Sequence, residues 1–229
     1  MFSLVFPAYN EAVCLEKNVK TIVDSLNKLN IDYEIIIAED GSTDNTYEIG
    51  LKLSKEYRNL RINHYNEKLG RGLALKKAFS LANGKYVWYM DIDLATDIKH
   101  LKELLNYVKE YDIVTGSRYL KNSVINRSIK RRGFSWVYNL LARLLFNSKI
   151  FDHQCGFKAF KRETIIELNK ISENNHWFWD TEILILAQKF GYKVKEFPIT
   201  WNESRRSKVK APADSFEMFF NLMKLRIKN

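Results

Sequence analysis

Short apolar runs alternate with amphipathic stretches through the first half of the chain, the texture of strand–helix units built around a mostly parallel sheet. Residues 2–6, 33–38, 60–65, 86–90 and 112–115 predict strands. Between them, residues 12–29, 46–57, 73–82 and 98–107 carry apolar side chains at three- and four-residue spacing, which predicts helices covering the sheet. In 12–29, Leu15, Val19, Ile22, Val23 and Leu26 fall on one face, and these aliphatic residues are assigned to the core.

The second half changes character. Residues 113–151 hold no acidic side chain, yet include Arg118, Lys121, Arg127, Lys130, Arg131, Arg132, Arg143 and Lys149. Within this basic segment, 134–151 is aromatic-rich and helix-like, with Trp136, Leu140, Leu144 and Leu145 near one face and Arg143 interrupting it. Compact texture returns through 155–160, a helix near 180–190 and a strand over 193–199. A basic stretch, Arg205-Arg206-Ser207-Lys208-Val209-Lys210, precedes a last amphipathic helix near 214–227. The expected organisation is one α/β domain over 1–210, with the basic amphipathic insertion at 118–151, and a C-terminal helix within 211–229. No internal repeat or low-complexity segment interrupts it.

Composition narrows this further. At 229 residues, 46% apolar and 28% charged, with nine Gly and three Pro, the chain suits one compact domain. Two cysteines, Cys14 and Cys155, exclude a disulfide scaffold and a structural zinc site and lead us to expect a reducing, cytoplasmic setting. The net charge of +10 draws anions, whether nucleotides, nucleic acid or acidic lipid. The opening Met1-Phe2-Ser3-Leu4-Val5-Phe6-Pro7 lacks the features of a signal peptide, and no apolar run reaches about 18 residues, so a non-spanning protein is expected.

Four strand ends carry candidate chemistry. The apolar 86–90 runs into Asp91-Ile92-Asp93, and residues two apart in an extended chain point the same way, so the two carboxylates can share one hard cation. The competing role is a turn or helix cap. Residues 35–38 lead into Glu39-Asp40-Gly41-Ser42-Thr43-Asp44, where Asp40 can accept from a nucleobase or ribose, or simply serve the turn. In Pro7-Ala8-Tyr9-Asn10-Glu11, Pro7 keeps the chain extended, Tyr9 can lie on a base and Glu11 can reach a ribose; alternatively Asn10 caps a helix and Tyr9 packs. Gly70-Arg71-Gly72 opens a helix and sets a guanidinium beside its N–H groups, as anion sites do.

In this order these segments resemble the family-2-type inverting glycosyltransferases of GT-A fold, a Rossmann-like α/β architecture. The resemblance extends through Gly116-Ser117-Arg118, Gln154-Cys155-Gly156-Phe157-Lys158 and Asp180-Thr181-Glu182. Within that group, residues 152–160, Trp177-Phe178-Trp179-Asp180-Thr181-Glu182, and Trp201-Asn202-Glu203 with Ser207-Lys208 are similar to the dolichyl-phosphate hexose synthases. Three positions depart from the common pattern: Glu39 stands where Asp is usual, Ala95 where Gln or Ser is common, and Arg71 where Lys is frequent.

The resemblance implies transfer of a hexose, with inversion, from a nucleotide sugar (GDP-mannose or UDP-glucose) to a polyprenyl monophosphate. A divalent cation, Mg²⁺ or Mn²⁺, is expected on Asp91 and Asp93. The donor is expected on Pro7, Tyr9, Glu11, Asp40, Arg71, Asp91, Asp93 and Arg206, and the acceptor phosphate on Arg118, Arg131, Arg132, Ser135 and Arg205. Asp93, Arg118, Arg131, Asp180 and Lys208 are the expected catalytic set. A lipid acceptor adds an anionic membrane surface as partner, with residues 134–151 and 214–227 lying in its plane as C-terminal interfacial helices, peripherally on the cytoplasmic face. Packing on the core or on a second copy of the chain is the competing use of those helices. Rival readings are a hydroxyl-acceptor transferase of the same fold, a processive polysaccharide synthase, disfavoured because no Gln-x-x-Arg-Trp occurs, and a nucleic-acid binder, disfavoured because no such module appears.

Overall fold

The computed structural model describes residues 1–126, 128–203 and 211–228, leaving aside the side chains of 129–131 and 211–215. The expectations for Arg205, Arg206 and Lys208, and for the Arg131 side chain, therefore lie outside the described residues.

Among the described residues the chain forms a seven-stranded sheet in the order β3-β2-β1-β4-β7-β5-β8. Its strands are β1 (Phe2–Ala8), β2 (Tyr33–Glu39), β3 (Leu60–Asn63), β4 (Tyr86–Met90), β5 (Ile113–Ser117), β7 (Phe157–Lys161) and β8 (Val194–Pro198). All pairings are parallel except those of β7, which runs antiparallel between β4 and β5. Two short strands, β6 (Val124–Asn126) and β9 (Thr200–Asn202), pair beside the sheet. The α/β class expected from the alternating pattern is what forms.

Strand alternation explains the two cores. Leu4, Phe6, Ile35, Ile37, Trp88, Met90 and Val114 face one side. There they meet the buried faces of α1 (Leu15–Lys28), α2 (Thr46–Glu56) and α4 (Leu101–Tyr107). Val5, Ile36, Val87, Tyr89, Ile113 and Phe160 face the other, under α3 (Arg71–Leu81), α6 (Arg162–Ile171) and α7 (Trp179–Lys189). All five aliphatic residues chosen on α1 are buried. Pro7 fits inside the sheet because pairing of β1 with β4 ends at Val5–Tyr89, so the missing N–H falls beyond that ladder.

Two expectations shift. Helix α1 starts at Leu15 rather than 12, because Asn10 takes a left-handed φ of 53° and serves the loop instead of capping the helix. The helix expected over 134–151 is α5 (Ile129–Phe146), ended by Asn147 at a left-handed φ of 48°, so Phe151 lies outside it. The final helix, α8 (Ala211–Lys228), packs on α5 and α7 through Leu222, Ala142, Phe178 and Ile185.

A buried polar network anchors the end of α5. The Asn139 Oδ1 accepts from the His153 backbone N–H at 2.8 Å and from its Nδ1 at 2.9 Å, while His153 Nε2 lies 2.9 Å from the Ser148 hydroxyl. Burial lowers the His153 imidazole from 6.5 to about 4. Between those values the unfolded chain binds a proton that the folded chain excludes. Stability contributed by neutral His153 is thus complete above pH 6.5 and is lost as pH falls toward about 4. The slope reaches at most about 1.4 kcal/mol per pH unit. Urea unfolding across that range should show it, and His153→Gln should flatten it.

Candidate active site

The parallel strands all end at one edge, and the antiparallel β7 begins there. That reversal brings 152–156, which precede β7, against the segment following β4: the Asp91 N–H donates to the Gly156 carbonyl at 3.1 Å. The Asp91 carboxylate lies directly over Gly156, where a Cβ would overlap it. Asp93 turns back to accept from the Ala95 N–H at 3.1 Å, and the following Leu94 holds a left-handed φ of 54°, a conformation disfavoured for Leu. Gly156→Ala should displace Asp91 and lower turnover about 100-fold. A thermal melt close to wild type would separate this from loss of fold.

Behind Asp91 lies a closed set of charges. Arg71, the first residue of α3, donates from Nη2 to Asp91 Oδ1 at 2.8 Å and from Nη1 to Asp180 Oδ2 at 2.6 Å. Its guanidinium sits 5.2 Å from the Tyr89 ring centroid and 5.3 Å from that of Trp177. Asp180 also accepts from Lys158 Nζ at 2.7 Å and from the Tyr89 hydroxyl. Lys158 is fully buried and donates to the Cys155 carbonyl as well. Burial opposes the charge on Asp180, but Lys158 and Arg71 outweigh it and hold the carboxyl below its ordinary value. Two cations thus balance two carboxylates, with Arg71 bridging the buried half to the exposed rim.

The strand-end loops on the β1–β3 side are stitched together. The Asn10 Oδ1 accepts from the Thr43 N–H at 2.8 Å, Ser42 accepts from the Asn10 N–H, and Thr46 accepts from the Glu11 N–H at 2.7 Å. Asp40 is buried, and its carboxylate accepts from the Leu69 N–H at 2.7 Å and the Gly70 N–H at 3.1 Å. Burial raises its pKa despite those bonds. It therefore fixes the turn before Arg71, where Gly70 has φ 101° and no room for a side chain beside His176. Tyr9 lies under Lys68, whose Nζ is 3.9 Å from the ring centroid.

Across the site, Arg118 follows β5 and forks onto Asp152, with Nε at 2.7 Å and Nη2 at 2.8 Å; the Arg118 backbone N–H adds a bond at 2.9 Å. Both residues are buried. Burial alone would raise the Asp152 carboxyl, but Arg118 holds it below its usual range. Beside this pair opens a cavity of about 650 Å³ whose described lining includes the cations Arg118, Arg132 and Arg143 and an apolar wall with Trp136, Leu140 and Phe151. Among the described residues the buried Arg143 Nε has no hydrogen-bond partner, and its guanidinium lies 4.1 Å from the Phe151 centroid. Ser135 does not line this cavity; its carbonyl accepts from Asn139.

The expected residues thus divide into a carboxylate–Arg71 side and an Arg118–Arg132 side. Sequence reading missed Lys158, Asp152 and Arg143 as members. It also missed His64, which pairs with Glu39 and stacks on Tyr47 at a centroid distance of 3.8 Å. A lysine inside the apolar 157–160 run, where a strand buries both faces, was the available signal for Lys158.

No group of three or more His, Cys, Asp and Glu gathers among the described residues, so among these a cation would have to rely on a smaller set such as the expected pair, Asp91 and Asp93. Hard oxygen donors in that number suit a divalent ion that completes its shell with phosphate oxygens and water.

Comparison with known proteins gives this arrangement its context. Among solved structures, glucosyl-3-phosphoglycerate synthase from Mycobacterium tuberculosis, in complex with Mn²⁺, UDP and glucosyl-3-phosphoglycerate, superposes with a TM-score of 0.71 at 19% identity. The match covers 99% of this chain and 79% of that one, and at that identity it speaks to the fold alone. Glycosyltransferase AglD of Haloferax volcanii is 46% identical over 220 residues, 94% of this chain but 35% of AglD, so the chain spans about a third of that relative. Dolichyl-phosphate beta-glucosyltransferase of Saccharomyces cerevisiae is 31% identical over 249 residues, 98% of this chain and 74% of the yeast protein. Its Dictyostelium discoideum counterpart is 31% identical over 241 residues, with 99% and 74% covered. The family model for glycosyl transferase family 2 matches residues 3–168, from β1 through the Asp91–Asp93 edge and Arg118 into α6, and the chain belongs to that family.

Proposed function

We propose that this chain transfers a hexose, with inversion, from a nucleoside-diphosphate sugar to a polyprenyl monophosphate of dolichyl type. The observation that carries this reading is the cavity in which Arg118, Arg132 and Arg143 share one hollow with Trp136, Leu140 and Phe151. Guanidinium groups suit phosphate and an apolar wall suits an isoprenoid, whereas a sugar or protein hydroxyl needs neither. The names of the yeast and Dictyostelium relatives support the same acceptor and favour glucose over mannose.

In this reading Asp91 and Asp93 hold a Mg²⁺ or Mn²⁺ ion, which supplies charge neutralisation for the departing diphosphate. Tyr9 and Glu11 line the donor's nucleoside end, and Pro7 directs the strand toward it. Asp40 contributes by fixing the Leu69–Gly70 turn that presents Arg71. Asp152 aims Arg118 at the acceptor phosphate, with Arg132 and Arg143 beside it. With a second pKa near 6, that phosphate is mostly dianionic at pH 7 and attacks the anomeric carbon without a general base. Asp180, saturated by Arg71, Lys158 and Tyr89, acts through Arg71 rather than on a substrate proton.

The experiment is direct. The protein is incubated with UDP-glucose or GDP-mannose and a polyprenyl phosphate, with and without EDTA, and the lipid product is analysed. Glycosylated lipid that disappears with EDTA supports the reading; transfer only to hydroxyl acceptors sinks it.

Membrane docking belongs to the same proposal. Among the described residues no helix is long and apolar enough to cross a membrane. Helix α5 nevertheless exposes Phe134, Trp136, Val137 and Leu144, and α8 exposes Phe216, Phe219, Phe220, Met223 and Ile227. These rows, with Lys224, Arg226 and Lys228 alongside, suit the surface of an anionic bilayer. Sedimentation with anionic liposomes at moderate salt should carry the protein down, and Phe216→Ser with Phe220→Ser should weaken that binding about tenfold or more.

A further inference from the structure

Arg71 occupies Asp91, the carboxylate that a metal ion needs. Its Nη2 lies 2.8 Å from Asp91 Oδ1, and the other oxygen, Oδ2, lies against Gly156. The Arg71 side chain is 12% exposed and that of Asp91 45% exposed, so the pair reaches from the interior to the rim. Burial opposes the guanidinium's charge, and Asp180 with Asp91 keeps it fully cationic. A divalent cation arriving alone therefore meets a fixed positive charge already bonded to its ligand, and the two cations repel in a partly desolvated setting.

The second fork of Arg71 offers a way out. Nη1 is held by Asp180, itself fixed by Lys158 and Tyr89, so Arg71 can give up Asp91 and remain anchored. The freed Nη2 then needs an acceptor, and the donor's diphosphate is an anion of the right chemistry. We propose that Arg71 is a counter-cation that holds Asp91 until the donor arrives, so that metal ion and diphosphate load together. This rests on the donor and metal reading above and deepens it by assigning Arg71 a positioning role: it suppresses occupancy by the ion alone and rewards the pair.

The sign of the effect distinguishes this role from a structural one. Loss of a merely structural arginine would leave Mn²⁺ binding unchanged or weaker, whereas loss of a competing cation strengthens it. Mn²⁺ affinity is measured by electron paramagnetic resonance or calorimetry, alone and with UDP or GDP, on wild type, Arg71→Gln and Arg71→Lys, with a thermal melt on each. In Arg71→Gln, Mn²⁺ alone should bind about tenfold tighter than in wild type. The gain in Mn²⁺ affinity brought by the nucleoside diphosphate should shrink. Arg71→Lys, which reaches one carboxylate at a time, should move Mn²⁺ binding the same way by less, and it decides the matter if Arg71→Gln does not fold. Unchanged or weaker Mn²⁺ binding in a folded variant, while wild type still binds Mn²⁺ with nucleotide, overturns the role of Arg71 and leaves the donor reading standing. Failure of wild type to bind Mn²⁺ under any of these conditions overturns both.

Discussion

Asp93→Asn should lower hexosyl transfer about 100- to 1,000-fold while leaving the fold intact. The carboxylate sits at the rim, not in the core, and its described bond, from the Ala95 N–H, can be accepted equally by an amide oxygen. That bond survives the substitution, whereas a cation held as proposed on Asp91 and Asp93 would lose one of its two carboxylates. Stabilisation of charge that develops in the transition state is worth this much when a single preorganised group is removed. Turnover of nucleotide sugar in the presence of polyprenyl phosphate is the measurement, with thermal melting as control. Asp97→Asn is the comparison, since Asp97 caps the turn Ile98–His100 by accepting from the Lys99 N–H and pairs with the Lys99 ammonium at 3.0 Å, and the proposal gives it no part in holding the cation. A folded Asp93→Asn variant that turns over like wild type would remove the cation from the account.

The largest effect on stability is expected at Asp152. Its carboxylate takes two bonds from the Arg118 side chain and one from the Arg118 N–H, in a site where Asp152 is 0% and Arg118 8% exposed. Asp152→Ala leaves a buried guanidinium without its counter-charge and should cost about 3–5 kcal/mol in urea unfolding. Replacing both partners by apolar residues of similar size should recover much of that loss, because the penalty comes from the stranded charge rather than from the missing attraction. The pH dependence has a definite sign. The native Asp152 carboxyl lies below its ordinary value of 3.8, so the stability it contributes is complete above that pH. It is lost as pH falls through the lower native value. Activity lost in Asp152→Ala beyond the unfolded fraction measures how far Asp152 aims Arg118.

Much of this was legible in one dimension. The near-continuous apolar runs of residues 2–6, 33–38 and 86–90 reflect burial on both faces of a sheet, and the five aliphatic positions of α1 reflect a 3.6-residue period. Both are local consequences of geometry, so composition along the chain reveals them. The Asp91–Asp93 pair was readable for the same reason: it interrupts an apolar strand at its end. Helix ends were less secure, because Asn10 and Asn147 adopt left-handed conformations that asparagine tolerates but does not announce.

The partners of charged residues were not legible. Arg71 meets Asp180 across 109 positions, Arg118 meets Asp152 across 34, and Lys158 reaches Tyr89 across 69. An arginine in the sequence reads equally well as a solvated surface group, and Asp40 reads equally well as a ligand for a nucleobase. Only the folded chain gives Asp40 to the Leu69 and Gly70 N–H groups and buries Lys158 beneath Asp180. The sequence by itself determined the sheet, its helical cover and the carboxylate edge, because these follow from short-range periodicity. Tertiary structure decided which charges neutralise which, because β7 runs against its neighbours and brings Asp152 and Gly156 to the edge where the other strands end, a reversal that no local pattern encodes.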